Sequence, residues 1–209
     1  MDFGSFTPEV ISNAFIKHGY SVHDEPYRLN IFGVRANLPA TNKFDDMIGV
    51  IYKDFAGTWN LQKYMATTDA GFSYLRSPIV PKGTAILAPN QYRDAYCTGK
   101  HLGQYRALVQ HAPMDFWRNK PEDLKRTPEG YYAFDKTPEK IIRAVIGANI
   151  HHAGEYSTFI NNWSAACQVF AILKDFNGGL MVLVDAHLEQ KYPDLFDYTL
   201  FDEIQMQRV

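Results

Sequence analysis

The chain contains two cysteines, Cys97 and Cys167, and the second lies near histidines that could activate it. Residues 150–154 read Ile-His-His-Ala-Gly, and residues 163–167 read Trp-Ser-Ala-Ala-Cys. A nucleophilic cysteine needs a base close by and a third group that orients the base. We therefore expect Cys167 to be the nucleophile and His151 its base, with the thiol pKa lowered by the pairing. The residues alone also fit an unreactive buried cysteine, the commoner role, which we expect for Cys97.

The segment resembles the catalytic motif of the L,D-transpeptidase (YkuD-like) family, in which an apolar strand ends in His and a loop leads to Ser-x-small-Cys. The resemblance covers residues 150–169. It implies that His151 is the base, that Cys167 attacks a peptide carbonyl of peptidoglycan, and that Ser164 helps to orient and bind. The N–H groups around Ala166 and Cys167 would help to form an oxyanion hole.

Three positions depart from the family pattern. Ala165 stands where the family has His, Ala166 where it has Gly, and Val169 where it has Arg or Asn, with Gln168 beside it. The chain would therefore be a divergent member, with an altered substrate or with hydrolysis in place of cross-linking. An inactive relative of the family stays open.

Other residues near these segments are expected to contact the substrate. Trp163 could form a wall of the groove, and Ala166 and Gln168 flank the cysteine. His101 and Tyr105 lie in a hairpin-like stretch and could orient the thiolate or contact the ligand.

Two loop charges, Arg35 and Asp69, could bind charged groups of a stem peptide, although charges in loops are usually only solvated.

Three alternatives remain open. A papain-like or NlpC-like enzyme would place its histidine after the cysteine, where only His187 is found. A metal site would use His151, His152 and Glu155, although adjacent histidines on a strand point to opposite faces. We expect neither a metal nor an organic cofactor. The third alternative is a non-catalytic phage or injection-apparatus module with the same fold.

Hydrophobic periodicity and turn residues predict a strand-rich chain with peripheral helices. Thr7 and Pro8 indicate a helix over residues 7–18. A polar excursion over 112–140 holds four prolines and a short helix near 120–126. The other predicted elements are strands at 29–34, 47–53, 58–65, 84–87, 105–110, the second half of 144–150 and 198–204, and a helix over 173–190.

The fold class we predict is mainly β (α+β), and the resemblance implies an L,D-transpeptidase-like β-sandwich. We expect a catalytic domain over residues 29–209 and an N-terminal helical extension over residues 1–28. Parallel βαβ winding is not expected, because strands rather than alternating strands and helices dominate the order.

Composition narrows the class of partner. The net charge is −2 and no basic patch is present, so we expect no nucleic-acid partner. No segment has the roughly 20 apolar residues of a membrane span, and no secretory signal begins the sequence. We expect a protein made in the cytoplasm and delivered to the periplasm or cell wall by a phage or secretion apparatus, or associated with a virion. Its partners would be peptidoglycan stem peptides and proteins of that apparatus.

Overall fold

Thirteen strands dominate the part of the chain that the structure, a computed structural model, describes, which is residues 3–206. The strands are β1 Asn30–Arg35, β2 Asp46–Lys53, β3 Trp59–Thr67, β4 Thr84–Leu87, β5 Asn90–His101, β6 Tyr105–Gln110, β7 Met114–Asn119, β8 Lys125–Arg126, β9 Tyr132–Ala133, β10 Ile141–Ala144, β11 Ile150–His152, β12 Gln168–Phe170 and β13 Phe196–Asp202.

Short helices lie between and around the strands. The α-helices are α1 Pro8–Lys17, α2 Phe72–Arg76, α3 Leu173–Asp175, α4 Met181–Glu189 and α5 Glu203–Met206. A π-helical turn, Phe176–Leu180, joins α3 to α4, and 3-10 turns occur at Phe3–Ser5, Pro121–Asp123 and Pro138–Lys140. Within residues 3–206 no helix combines the length and apolar character that crossing a bilayer requires.

Eight of the strands form a closed barrel in the order β1-β13-β5-β6-β11-β12-β3-β2. Most neighbours are antiparallel, but β1 and β13 are parallel, as are β11 and β12. The predicted mainly-β class with helices is confirmed. The main sheet, however, is not one layer of a sandwich: the last strand pairs with the first, so the sheet closes on itself and leaves no exposed edge. A second sheet, β10-β7-β4, and a hairpin, β8-β9, lie outside the barrel.

The predicted N-terminal helix is confirmed as α1. The hydroxyl oxygen of Thr7 accepts a hydrogen bond from the N–H of Val10 at 3.2 Å, which caps the first turn. Beyond its end Gly19 has φ +70°, a conformation that glycine adopts without strain. The buried ring of Phe15 packs edge-to-face on Phe201 of β13, with centroids 5.4 Å apart. The helix thus covers an outer face of the barrel.

The strand predicted in the second half of 144–150 is wrong in its position. Residues 145–149 lie between β10 and β11 and have no regular structure. The side-chain oxygen of Gln110 accepts hydrogen bonds from the N–H groups of Ile146 (2.9 Å) and Ala148 (3.1 Å), and Gly147 has φ +77°. The side chain of Gln110 thus accepts the hydrogen bonds that a neighbouring strand would otherwise accept. The chain bends at Gly147, before His151.

Arg35 and Asp69 are inside the protein and do not face a ligand. The Nε of Arg35 lies 2.9 Å from Oδ1 of Asp69, and their side chains are only 2% and 8% exposed. Two further nitrogens of Arg35 donate to the carbonyl oxygens of Leu87 and Thr68, both at 2.9 Å. The suggestion that these charges bind a peptide is therefore wrong, because Arg35 and Asp69 form an ion pair with each other in the interior.

Replacing Arg35 by Met should leave Asp69 buried without its counter-charge. We expect the free energy of unfolding to fall by about 3–5 kcal/mol, measured by urea denaturation. The matched control is Arg143→Met, since Arg143 is exposed and pairs with Asp115 at the surface. That change should cost less than about 1 kcal/mol. Equal losses in the two variants would contradict the structural role of the buried pair.

Candidate active site

The pairing of β11 with β12 brings the predicted nucleophile and base to one face of the barrel wall. The two strands are parallel, and His151 lies opposite Val169. Cys167 comes two residues before Val169, and alternate residues along an extended chain share a face. The 16-residue separation of His151 and Cys167 along the chain is thus closed by strand register.

A third residue, His101, joins them. One side-chain nitrogen from each of His101 and His151 and the Sγ of Cys167 all lie within 4.8 Å of one another. The rings of His101 and His151 stack with centroids 3.9 Å apart and planes 18° apart. His101 comes from the end of β5, where Asn149 Nδ2 lies 3.1 Å from its Nδ1. The sequence proposed His101 as an orienting or ligand-contacting residue, and its ring packs directly on His151.

Hydrogen bonds at Nδ1 fix the tautomer of His151. Its Nδ1 lies 2.8 Å from the carbonyl oxygen of His152, and a carbonyl can only accept, so Nδ1 carries the hydrogen. The hydroxyl of Tyr105 lies 3.1 Å from the same nitrogen and donates to the same carbonyl at 3.3 Å. The Nε2 of His151 is buried and has no hydrogen-bond partner among the described residues. The backbone of Trp163 lies near this ring and acts to raise its pKa, so it would stabilise the ring once Nε2 had accepted a proton.

Burial keeps both members of the pair neutral. Burial, assisted by the neighbouring His101, lowers the pKa of His151 to about 3, while the carbonyl of His152 acts in the opposite direction. Burial raises the pKa of Cys167 to about 11. The site at neutral pH therefore holds a thiol and a neutral imidazole. The lowered thiol pKa expected from the sequence is not found.

Cys167 opens onto a cleft. A cavity of about 450 Å³ is lined by Cys167, by the predicted site residues His101, Trp163 and Ala166, and by mainly apolar neighbours. The thiol donates to the carbonyl oxygen of Gly147 at 3.7 Å. A ligand in the cleft can thus reach the sulfur, although Cys167 is only 9% exposed.

Ser164 and Gln168 support the cysteine from behind and do not line the cleft. The hydroxyl of Ser164 is buried and donates to the carbonyl oxygen of Cys167 at 2.8 Å. Gln168 lies inside the barrel, where its Oε1 accepts from the hydroxyl of Tyr198 at 2.9 Å and its Nε2 donates to the carbonyl oxygen of Ala166. Their place in the structure is to hold the turn that carries Cys167.

His152 points away from this cluster, as strand alternation predicts. Its ring packs on Tyr105, with centroids 4.3 Å apart, and on Phe176, at 5.4 Å. Glu155 is exposed. The metal ligands considered from the sequence, His151, His152 and Glu155, are therefore not brought together.

The alternative catalytic histidine, His187, is used in packing. Its Nδ1 accepts from the N–H of Leu29 at 3.3 Å, and its ring contacts Phe196 at 4.7 Å between centroids. Neither Leu29 nor Phe196 lines the cleft of Cys167. A cysteine–histidine pair with the order of papain-like enzymes finds no support in these contacts.

The cluster of His101, His151 and Cys167 offers three metal ligands, but the geometry of its two rings does not suit one ion. Histidine lone pairs lie in the ring planes, and zinc binds them at about 2.0–2.1 Å. Two nearly parallel rings stacked 3.9 Å apart direct their lone pairs side by side and do not converge on one point. The arrangement suits proton transfer between His151 and the thiol better than metal binding.

Two residues around the site were missed from the sequence. Asn149 links the site to the barrel, because its Oδ1 accepts from the N–H of Gln110 at 2.9 Å while its Nδ2 contacts His101. Its position could have indicated it, since Asn149 lies two residues before His151, just ahead of β11. Arg118 lines the cleft from β7, inside the predicted polar excursion, where no sequence signal marked it.

Comparisons of the chain with protein-family models, with curated proteins and with solved structures found no match.

The raised pKa of Cys167 predicts how fast an alkylating reagent reacts with it. In a Cys97→Ser background, the iodoacetamide rate at Cys167 should rise about tenfold per unit between about pH 7 and 10, because only the thiolate reacts. The measurement is labelling followed by intact-mass spectrometry, with Cys167→Ala as the blank. A rate that is already constant below about pH 8 would show a preformed thiolate and contradict the account.

Proposed function

We propose that this chain is a cysteine-dependent acyl-transfer enzyme that acts on the stem peptides of peptidoglycan. The observation that carries the proposal is that a ring nitrogen of His151 lies within 4.8 Å of the Sγ of Cys167 at a ligand-sized cleft, while the Nε2 of His151 has no hydrogen-bond partner among the described residues. A bare imidazole nitrogen next to a thiol is the arrangement that general-base activation of a nucleophile needs. The motif resemblance supplies the substrate class.

Proton transfer in this mechanism accompanies the attack. As Sγ of Cys167 bonds to the substrate carbonyl carbon, the thiol proton moves to Nε2 of His151, and the carbonyl oxygen becomes an oxyanion. The Nδ1–H bond to the His152 carbonyl stabilises the imidazolium that forms. His151 then returns the proton to the leaving amine, a thioester remains on Cys167, and water or an amine resolves it.

Backbone N–H groups next to the sulfur could stabilise the oxyanion. The N–H groups of Ala166 and Cys167 donate no hydrogen bond within residues 3–206. Donors fixed in place before the reaction are the most effective stabilisers of a developing charge. Their freedom at this turn supports acyl transfer over a purely structural role for Cys167.

The shape of the surface beyond the cysteine suits a ligand longer than one residue. A second depression, of about 390 Å³, lies over residues 78–81 and 120–122. It shares Ile79 and Val80 with the cleft of Cys167, so the two depressions adjoin at these residues. An extended peptide could lie across both with one carbonyl at the sulfur. We propose that the enzyme is delivered to the cell wall by a phage or secretion apparatus; the alternative is a non-catalytic module of such an apparatus.

Substitutions should separate the working residues from their neighbours. Cys167→Ala and His151→Ala should lower turnover of purified muropeptides by at least about a thousandfold, because each removes a reacting group. Cys97→Ala and His152→Ala should retain activity within severalfold. The products are measured by mass spectrometry, and circular dichroism checks that each variant folds.

Persistence of turnover in Cys167→Ala would refute the nucleophile. Loss of turnover in His152→Ala, with activity kept in His151→Ala, would place the base on the opposite face of β11. No turnover of any muropeptide by the unmodified chain would favour the non-catalytic alternative.

Hydrolysis or amino-acid exchange should dominate over cross-linking. The polar residues that the family has beside the cysteine are replaced here by Ala165 and Val169, its glycine is replaced by Ala166, and Val169 is fully buried. An acceptor amine is dilute and must be held in place to compete with water, so fewer polar contacts weaken its capture most. The test supplies a tetrapeptide donor with excess acceptor muropeptide. A cross-linked dimer as the main product would contradict this expectation and leave the roles of Cys167 and His151 intact.

A further inference from the structure

Arg118 introduces a charge into an otherwise neutral cleft. Among the described residues that line the cleft of Cys167, Arg118 is the one with a formal charge at neutral pH, and no carboxylate lines it. Its neighbours there include apolar side chains such as Ile79 and Ile146. A cation in such surroundings attracts an anionic ligand more strongly than it would in open solvent, because water screens it less.

The protein satisfies only part of this guanidinium. Nη1 of Arg118 donates to the carbonyl oxygen of Gly83 at 2.9 Å. Nε is buried with no hydrogen-bond partner, and Arg118 forms no ion pair with any residue from 3 to 206. Burial lowers the pKa of Arg118, and no carboxylate offsets the effect. Arg143 and Arg106, in contrast, are each paired with an aspartate.

The backbone fixes which edge of the guanidinium is left free. Gly83 has φ +96°, and a Cβ there would lie 2.4 Å from the backbone of Asn119, so only glycine allows this approach of the chain to β7. The contact holds Nη1 of Arg118 on the Gly83 carbonyl. Nε is buried and has no hydrogen-bond partner, and Nη2 is the nitrogen left to donate its N–H groups to a carboxylate in the cleft.

We propose that Arg118 binds a carboxylate of the ligand and so fixes its position relative to Cys167. Arg118 is then a specificity-determining residue, and peptides that carry a free carboxylate are preferred over the corresponding amides. The inference deepens the proposed function and depends on it only for the identity of the substrate, because anion binding at this edge does not require catalysis.

The experiment uses thiol-reactive probes that differ only in a carboxylate. In the Cys97→Ser chain at about pH 8.5 and low salt, labelling rates of Cys167 are compared for 3-maleimidopropionic acid, 6-maleimidohexanoic acid and their primary amides. At the spacer length that spans the two residues, the acid should react about tenfold faster than the amide, because the guanidinium holds it in the cleft. Glutathione gives the intrinsic ratio for each pair of probes.

Substitutions test whether Arg118 causes the faster labelling by the acids. Arg118→Gln should abolish the preference for acid over amide, and Arg118→Lys should keep part of it, since lysine retains the charge but not the planar guanidinium. The matched control is Arg126→Gln, which removes the same charge from an exposed position outside the cleft and should keep the full preference. Equal rates for acid and amide at both spacer lengths, or a preference that survives in Arg118→Gln, would overturn the proposal.

A second readout does not depend on the thiol. In Cys167→Ala, N-acetyl-alanyl-alanine should bind more tightly than its amide by ligand-detected NMR, and Arg118→Gln should remove the difference. Equal binding of the two would also overturn the proposal. A carboxylate preference without turnover of any muropeptide would leave the anion site standing and refute the proposed reaction instead.

Discussion

The hydrogen bond from Nδ1 of His151 to the carbonyl oxygen of His152 determines what the rest of the site can do. Because the bond is 2.8 Å long and its acceptor is a carbonyl, the imidazole hydrogen is held on Nδ1. The other nitrogen, Nε2, is then the one that can accept a proton. If the hydrogen were on Nε2, Cys167 would have no base, and the stacked ring of His101 would have nothing to position. Tyr105 reinforces the same tautomer, since its hydroxyl contacts both partners of the bond.

The backbone places Cys167 on the same face as His151. Closure of the barrel forces β11 and β12 to lie side by side, and their parallel register sets Cys167 on the face of His151. The loop between them is anchored near its C-terminal end, since the hydroxyl of Ser164 donates to the carbonyl oxygen of Cys167 and the carbonyl oxygen of Ser164 accepts from the N–H of Gly71 at 2.9 Å. A turn anchored in this way can keep free N–H groups beside a sulfur, which an unsupported surface loop could not. Burial shifts the pKa values of His151 and Cys167 so that both side chains are neutral at rest. Charge separates between them only during the reaction.

Local signals in the sequence predicted more of the site and its supporting elements than the overall pattern of the sequence predicted of the barrel. The helix cap at Thr7 and the alternation that separates His151 from His152 both depend on neighbours in the chain, and both are found in the structure. Closure of the barrel depends on the pairing of β1 with β13, which lie at opposite ends of the chain, and no local pattern encodes it. The same holds for Arg118, whose role comes from a contact with Gly83 across two strands. The thiol pKa could not be predicted either, because it is set by three-dimensional burial.

The most direct test of the central claim is the protonation state of His151 itself, measured by nitrogen NMR of protein labelled with ¹⁵N-histidine. We expect a neutral ring at pH 7, with the hydrogen on Nδ1 and an unprotonated Nε2 whose resonance shifts when Cys167 is alkylated. Acidification should leave the ring neutral until well below the range in which an exposed histidine titrates, since burial lowers its pKa to about 3. A ring protonated on Nε2, or an imidazolium at pH 7, would contradict the account.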